Sequence, residues 1–388
     1  LYMLLVVIQL IPLPAEIWGK LPGRGDLRQM DVVLGLGDVW RPMTLAPLRT
    51  WNVLGSLIVP GMGLLLVITL GMSSNVLMRI VAVLGVSNAL LGLFQIASGD
   101  SGIFYLYDVT NRGSPVGLFA NENHSGIFAA CSMLVVTRLG LEGGKVQGAA
   151  WGRLFWAMAF FLIFAVSLLS GSRAGFSASV GAMAISIAMI SLSPRSAGQH
   201  ASKTPKQGWV DRHPRLLLAI PITLALLTAG AFLTLGRTPA FQDLVSEDSF
   251  ADLRWSLWPV IVEMVETHWI FGAGFGSFEQ VYQTYEPTEL LMSVYINQAH
   301  NDWVQLIIEG GVVVALILLS LLVWMARAIV AISLSRAARV RGIFWIGVFA
   351  IISAASMIDY PLRTPLFQVV AIWFLLALSR DRRDMNAT

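Results

Sequence analysis

The feature of this sequence that most constrains its fold is an apolar run at 303–326, where no charged residue lies between Glu309 and Arg327. A helix needs about 20 predominantly apolar residues to cross a hydrocarbon core about 30 Å thick. Similar runs recur along the chain, in which 56% of residues are hydrophobic and 13% are charged. A water-soluble fold would lack the polar residues to cover its surface. The sequence therefore predicts an all-α, polytopic membrane protein.

We predict about ten transmembrane helices. The first run, at 1–13, would form a helix only roughly 20 Å long, too short to span a bilayer. It shows neither an initiator Met nor a signal-peptide cleavage site, so we expect an amino-terminal truncation with upstream helices missing. The remaining spans are predicted at 52–71, 79–98, 124–141, 154–170, 175–193, 215–236, 303–326, 342–358 and 365–379.

The loops between these spans alternate in charge. Lys and Arg are concentrated in 142–153, 194–214, 327–341 and the tail 380–383. This excess of Lys and Arg in short segments marks the cytoplasmic side of the membrane. It also accounts for the pI of 9.2, so the basic charge does not indicate binding to nucleic acid. Three acidic loops then face outward: 14–51, 99–123 and 237–302. We predict an amino-terminal bundle at 1–236, a large outer loop at 237–302, and carboxy-terminal helices with a basic tail at 303–388.

The long outer loop is predicted to be partly helical. Behind a Ser249-x-x-Asp252 start, apolar residues recur at helical spacing. Pro259 is expected to kink or divide this helix. The apolar positions are Phe250, Leu253, Leu257, Ile261, Met264 and Val265.

His300 is the first candidate for chemistry, because ionisable residues at the mouth of a membrane span are costly and usually functional. An imidazole exchanges protons near neutral pH. Asn301 and Asp302 are placed to fix its tautomer or to bind a polar ligand. The alternative is an interfacial histidine beside Trp303 in an aromatic belt.

Two arginines are candidate phosphate ligands. Arg173 lies in a very short outer turn between two spans, against the positive-inside trend. Its planar guanidinium suits phosphate, although an arginine that snorkels to lipid headgroups is equally compatible. Arg254 lies on the predicted loop helix, where a solvated charge paired with Asp252 or Glu247 is the simpler explanation.

Other patterns are weaker. Gly272-Ala273-Gly274-Phe275-Gly276 lacks the strand and βαβ unit of a phosphate-binding loop. The pairing of His300 with Asp302, like other His/carboxylate pairs here, offers two ligands, which rarely make a metal site. We therefore predict no metal and no cofactor. The hairpin from Asp359 to Arg363 is explained by a proline and an ion pair.

The candidate residues share one property, which is a predicted position on the outer side of the membrane. The topology places five segments on the outer face, where they can build one cleft with a proton acceptor and two fixed cations. A substrate with a diphosphate leaving group and a sugar hydroxyl nucleophile would use all three. The segments are Asn121–His124, Arg173, Arg254, His300 and Asp359–Arg363.

At these residues the chain resembles the O-antigen ligase and polymerase family of bacterial membrane glycosyltransferases. The similar motifs include Ser172-Arg173-Ala174-Gly175, Ala299-His300-Asn301 with Glu309-Gly310, and Arg254 followed by Gly272-x-Gly274-x-Gly276. Further similarity lies in Gly117–Asn123, Asp359-Tyr360-Pro361, Ile11–Pro14, Trp18 and Leu21–Arg24.

The resemblance implies a GT-C-like, metal-independent glycosyltransferase of the bacterial inner membrane, with its active site facing the periplasm. The donor would be a polyprenyl-diphosphate-linked glycan, and the acceptor lipid A core or glycan, with membrane lipids as surroundings. His300, Arg173 and Arg254 would be catalytic, and Asn301, Asn121 and Asn123 would join the arginines in binding substrate. A ligase is favoured, and an O-antigen or exopolysaccharide polymerase is the alternative.

Two other classes stay open. A transporter of a polar solute would place charges at the bilayer midplane, whereas here they gather at one end of the spans. A scaffold that docks partners on 237–302 would not need Arg173.

Overall fold

The structure is a computed structural model that describes residues 1–100, 102–142, 149–193, 223, 227, 230, 249–291 and 295–386. The described residues are mostly helical. The helices in the amino-terminal half are α1 (Tyr2–Gln9), α2 (Ala15–Trp18), α3 (Gly25–Val33), α4 (Pro47–Ser56), α5 (Ile58–Thr69), α6 (Ser74–Ser98), α7 (Glu122–Glu142), α8 (Ala149–Ser167) and α9 (Arg173–Leu192). They are followed by α10 (Ser249–His268), α11 (Phe278–Tyr285), α12 (Asp302–Leu334), α13 (Arg339–Ile358) and α14 (Pro365–Asn386).

The β-strands among the described residues are very short. Two-residue strands, β1 (Pro12–Leu13) and β2 (Arg41–Pro42), pair antiparallel. Short 3-10 turns lie at Thr288–Leu290 and Pro361–Arg363.

Six helical segments of the described chain are long and apolar enough to cross a membrane. They are Pro47–Thr69, Ser74–Ser98, Glu122–Glu142, Arg173–Leu192, Asp302–Leu334 and Arg339–Ile358. A shorter apolar stretch, Leu154–Ser167, belongs to α8. The all-α, polytopic architecture is therefore confirmed, whereas the predicted count of about ten and the GT-C-like arrangement stay predictions. The predicted span at 215–236 lies almost entirely outside the described residues.

The chain divides into two compact units. The first comprises Leu1–Leu66, Asp248–Trp324 and Ser356–Val369, and the second comprises Val67–Glu247, Met325–Ala355 and Val370–Thr388. The sequence-based boundaries at 236/237 and 302/303 stay predictions.

In the first unit, α10 buries the apolar face that its sequence predicts. Leu257, Ile261 and Met264 are all buried, in one cluster with residues of α11 and the start of α12. Pro259 does not divide the helix, which runs from Ser249 to His268. A proline disfavours a helix interior, but tertiary packing can override such a preference, and residues on both sides of Pro259 are buried.

Backbone hydrogen bonds join α12 to the glycine-rich segment after α10. Gly311 has φ 66° and ψ −163°, which interrupts the helical ladder of α12. The carbonyl of Ile308 accepts from Ala273 N–H at 2.8 Å, and Val312 N–H donates to the carbonyl of Ile270 at 3.1 Å. A Cβ at Gly272 would lie 2.4 Å from the carbonyl oxygen of Glu309. The glycines therefore permit close backbone packing between this segment and α12.

Helix α1 is built into the same unit. Gln9 Nε2 donates to the carbonyl of Glu309 at 2.9 Å, and Gln9 Oε1 accepts from Phe275 N–H at 2.8 Å. Tyr2 contacts Phe275 edge-on, with ring centroids 4.7 Å apart. The amino-terminal run thus supports the start of α12.

In the second unit, α7 is buried on all sides among α6, α8 and α9. Gly126 and Gly175 let α7 and α9 approach closely, since a Cβ at Gly126 would lie 2.5 Å from the Cα of Gly175. Arg138 and Asp381, both buried, form a bidentate ion pair at 2.7 and 3.0 Å between α7 and α14. Trp345 Nε1 donates to the same carboxylate at 2.8 Å.

Candidate functional site

His300 has an unusual backbone conformation. Its φ is 49°, the only positive φ at a non-glycine residue in the described part of the chain. Such conformations are uncommon, cost free energy and cluster at functional sites. The strain arises where the long loop must turn into α12, which begins two residues later at Asp302.

The His300 ring is held between two residues of the turn that follows α13. Its Nδ1 lies 3.6 Å from Oδ1 of Asp359, whose side chain is 4% exposed. The ring of Tyr360 packs edge-on, with centroids 5.1 Å apart. The imidazole itself is 35% exposed, so it contacts a buried carboxylate and also reaches the surface of the first unit.

Arg363 lies at the centre of a buried charged cluster beside this pair. Its Nη1 donates to Glu309 Oε2 at 2.9 Å, and its Nε lies 3.5 Å from Asp302 Oδ1. Asp302 Oδ2 also accepts from Ser356 Oγ and from Leu362 N–H, both at 3.1 Å. Burial alone would lower the pKa of Arg363, but the carboxylates of Glu309 and Asp302 raise it above its ordinary value.

Sequence reasoning placed Asp359–Arg363 among the segments of one cleft with His300, but it assigned these residues no role beyond a proline and an ion pair and did not predict this cluster. The structure gives Asp359 a partner in His300 and Arg363 a partner in Glu309. Arg363 is a cation in the short turn between α13 and α14. That criterion singled out Arg173, and it would have found Arg363 as well.

The Asn301 side chain hydrogen-bonds to the backbone at the start of α12. Its Oδ1 accepts from Val304 N–H at 3.1 Å, which caps α12. Arg254 lies on α10, but its side chain is outside the part that the structure describes. The catalytic role predicted for Arg254 stays a prediction.

Arg173 is the first residue of α9 in the second unit, and its side chain is half-buried. The preceding Ser172 accepts from Gly175 N–H at 2.8 Å as the cap of α9, and donates to Asn123 Oδ1 at 2.7 Å. Glu122 accepts from Gly171 N–H at 3.1 Å. The turn that carries Arg173 is therefore fixed by the start of α7.

Asn121 belongs to this second group. Its Oδ1 accepts from Asn123 N–H at 2.7 Å. The structure thus brings Asn121, Asn123 and the Arg173 turn together in the second unit, and His300, Asn301, Asp359 and Arg363 together in the first. No group of three or more His, Cys, Asp or Glu residues with metal-binding geometry occurs among the described residues.

Two comparisons with known proteins bear on the family resemblance that the sequence motifs predict. No curated protein matches the chain. Residues 158–319 match the family model described as O-antigen ligase. The matched range includes Arg173, Arg254 and His300. The resemblance to the O-antigen ligase family that the motifs predict is thus confirmed, and residues 158–319 carry it.

Proposed function

We propose that this protein transfers a glycan from a polyprenyl-diphosphate carrier to an acceptor hydroxyl at the periplasmic face of the bacterial inner membrane. The acceptor we propose is lipid A core, which makes the protein a ligase of lipopolysaccharide biosynthesis. The family match supports this class of reaction. The observation that carries the proposal for this chain is His300, strained at φ 49° beside the buried carboxylate of Asp359.

The pair of His300 and Asp359 has the arrangement expected of a general base and its supporting carboxylate. A carboxylate near Nδ1 favours the tautomer protonated at Nδ1, which leaves Nε2 free to accept a proton. In the proposed reaction, an acceptor hydroxyl gives its proton to Nε2 of His300 while its oxygen attacks the anomeric carbon of the donor. The bond from that carbon to the diphosphate breaks, and polyprenyl diphosphate leaves with the electron pair.

The leaving group gains charge, which a guanidinium can stabilise with two parallel hydrogen bonds. We assign this role to Arg173 and Arg254, on the basis of guanidinium chemistry and of the family resemblance. The turn that carries Arg173 is held by the Ser172 cap and by hydrogen bonds to Glu122 and Asn123. The backbone of Arg173 is therefore fixed in position.

The test is a reconstituted transfer assay. The purified full chain is mixed with lipid-diphosphate-linked glycan, either with lipid A core or without a second acceptor. Glycan on lipid A core, lost in a His300→Ala variant of equal membrane abundance, would support the ligase. A longer lipid-linked glycan would replace the ligase with a polymerase, and no transfer to either acceptor would overturn both.

A further inference from the structure

The first unit contains a cavity of about 260 Å³ whose lining differs from the apolar lining of most small-molecule sites. Its polar walls include Arg49, Asn52, Glu279, Asn297, Gln305 and Glu309. They come from α4, α11, the loop before His300 and the start of α12. None of these residues has a role in the proton transfer proposed above.

The charges in this cavity are balanced by ion pairs. Arg49 Nη2 lies 3.0 Å from Glu279 Oε2, and Glu309 Oε2 accepts from Arg363 at 2.9 Å. Each charged side chain of the lining therefore has a counter-ion within the first unit. A phosphate or a carboxylate would have to compete with Glu279 for Arg49, so the cavity favours an uncharged ligand.

One wall of the cavity is held rigid. Gln305, which is 1% exposed, donates from Nε2 to Gln298 Oε1 at 2.6 Å and to Glu309 Oε1 at 3.0 Å. Its Oε1 accepts from Ala299 N–H at 2.9 Å. Asn52 and Asn297 also line the cavity, and both are exposed. An amide offers donors and acceptors together, which matches a sugar hydroxyl that does both.

We propose that this cavity binds one uncharged sugar residue of the acceptor. Its volume is below the roughly 300 Å³ of the smallest sites for drug-sized ligands, which suits a single ring. The chain from Gln298 to Gln305 both lines the cavity and carries His300, so a sugar bound here belongs to the substrate whose hydroxyl the base deprotonates. The assignment to the acceptor rests on the proposed function, whereas sugar binding itself does not.

The first experiment measures binding without catalysis. Saturation-transfer NMR on the purified full chain uses methyl glycosides of uncharged hexoses as probes, with glucose 6-phosphate as the charged comparator. We expect millimolar binding of the uncharged probes, weaker binding of the sugar phosphate, and loss of the signal in the double variant Asn52→Ala/Asn297→Ala. Because both amides are exposed, the fold should be retained, and each single variant should weaken binding in part.

Asn75→Ala is the matched control, since Asn75 is an exposed amide on α6 in the second unit. This variant and His300→Ala should bind the probes like the unmodified chain. Saturation transfer that persists in the double variant would overturn the proposal. So would preferential binding of the sugar phosphate, or the lack of a signal from any uncharged probe.

The second experiment separates this inference from the proposed function. In the transfer assay, the double variant should raise KM for the acceptor by about tenfold or more, because two hydrogen bonds to the sugar are lost. His300→Ala should act on kcat. If the unmodified chain binds the probes but transfers no glycan, the proposed function is contradicted and the sugar site is not. Normal transfer with an unchanged KM in the double variant would remove the acceptor subsite alone.

Discussion

Nδ1 of His300 lies 3.6 Å from Oδ1 of Asp359, although 58 other residues separate them along the chain. The histidine lies just before α12, and the aspartate begins the turn between α13 and α14. A carboxylate with a 4% exposed side chain is costly to bury without polar partners, and Oδ1 of Asp359 also accepts from Tyr360 N–H at 2.9 Å.

This relationship predicts that Asp359→Asn lowers kcat of the transfer reaction by at least about tenfold, and His300→Ala by about 10²–10⁴-fold, the usual range for a general base. The asparagine keeps the shape but removes the charge that stabilises a protonated imidazole. Initial rates in the reconstituted assay, at matched protein abundance, measure both effects. An Asp359→Asn variant with full kcat would show that the carboxylate does not assist His300.

The second prediction concerns Arg363 and stability. Arg363→Ala leaves the buried carboxylates of Glu309 and Asp302 without their guanidinium, and breaking such a pair costs about 3–5 kcal/mol. We expect the free energy of unfolding in detergent to fall by that order. Adding Glu309→Gln should recover part of the loss, because one uncompensated charge disappears. Equal losses in the single and double variants would argue against an electrostatic cause.

The third prediction concerns Arg173. Arg173→Lys keeps the positive charge but removes the planar fork that can bind a diphosphate through two parallel bonds. We expect the transfer rate to fall at least about tenfold, the result of losing one charge-assisted hydrogen bond. Arg79→Lys, at an exposed position on α6, is the matched control. Full activity in Arg173→Lys would favour a scaffold or lipid-anchoring role.

The helices could be predicted from the sequence because a span needs only length and apolar composition. His300 and Arg173 could be singled out as candidates because an ionisable side chain beside an apolar run is costly. The partners could not be found in this way. Glu309 and Arg363 are 54 residues apart in the sequence, and their pairing depends on how the turn after α13 packs against α12. Spacing along one helix carries no such information.

The last prediction concerns pH and stability. His268, at the end of α10, is 2% exposed, and its Nε2 lies 3.3 Å from the hydroxyl of Tyr285. Burial, with a smaller effect of the Arg24 charge, lowers the pKa of His268 to about 4 from 6.5. The unfolded chain therefore binds a proton here in a pH range where the folded chain does not.

The direction of the effect follows from this difference. The stability associated with a neutral His268 is fully present above pH 6.5, and it is lost as the pH falls from 6.5 towards 4. His268→Gln cannot be protonated, so its unfolding free energy should decline less over that interval than that of the unmodified chain. Thermal unfolding in detergent at a series of pH values measures both slopes. Parallel curves for the two proteins would show that His268 ionises alike in the folded and unfolded states.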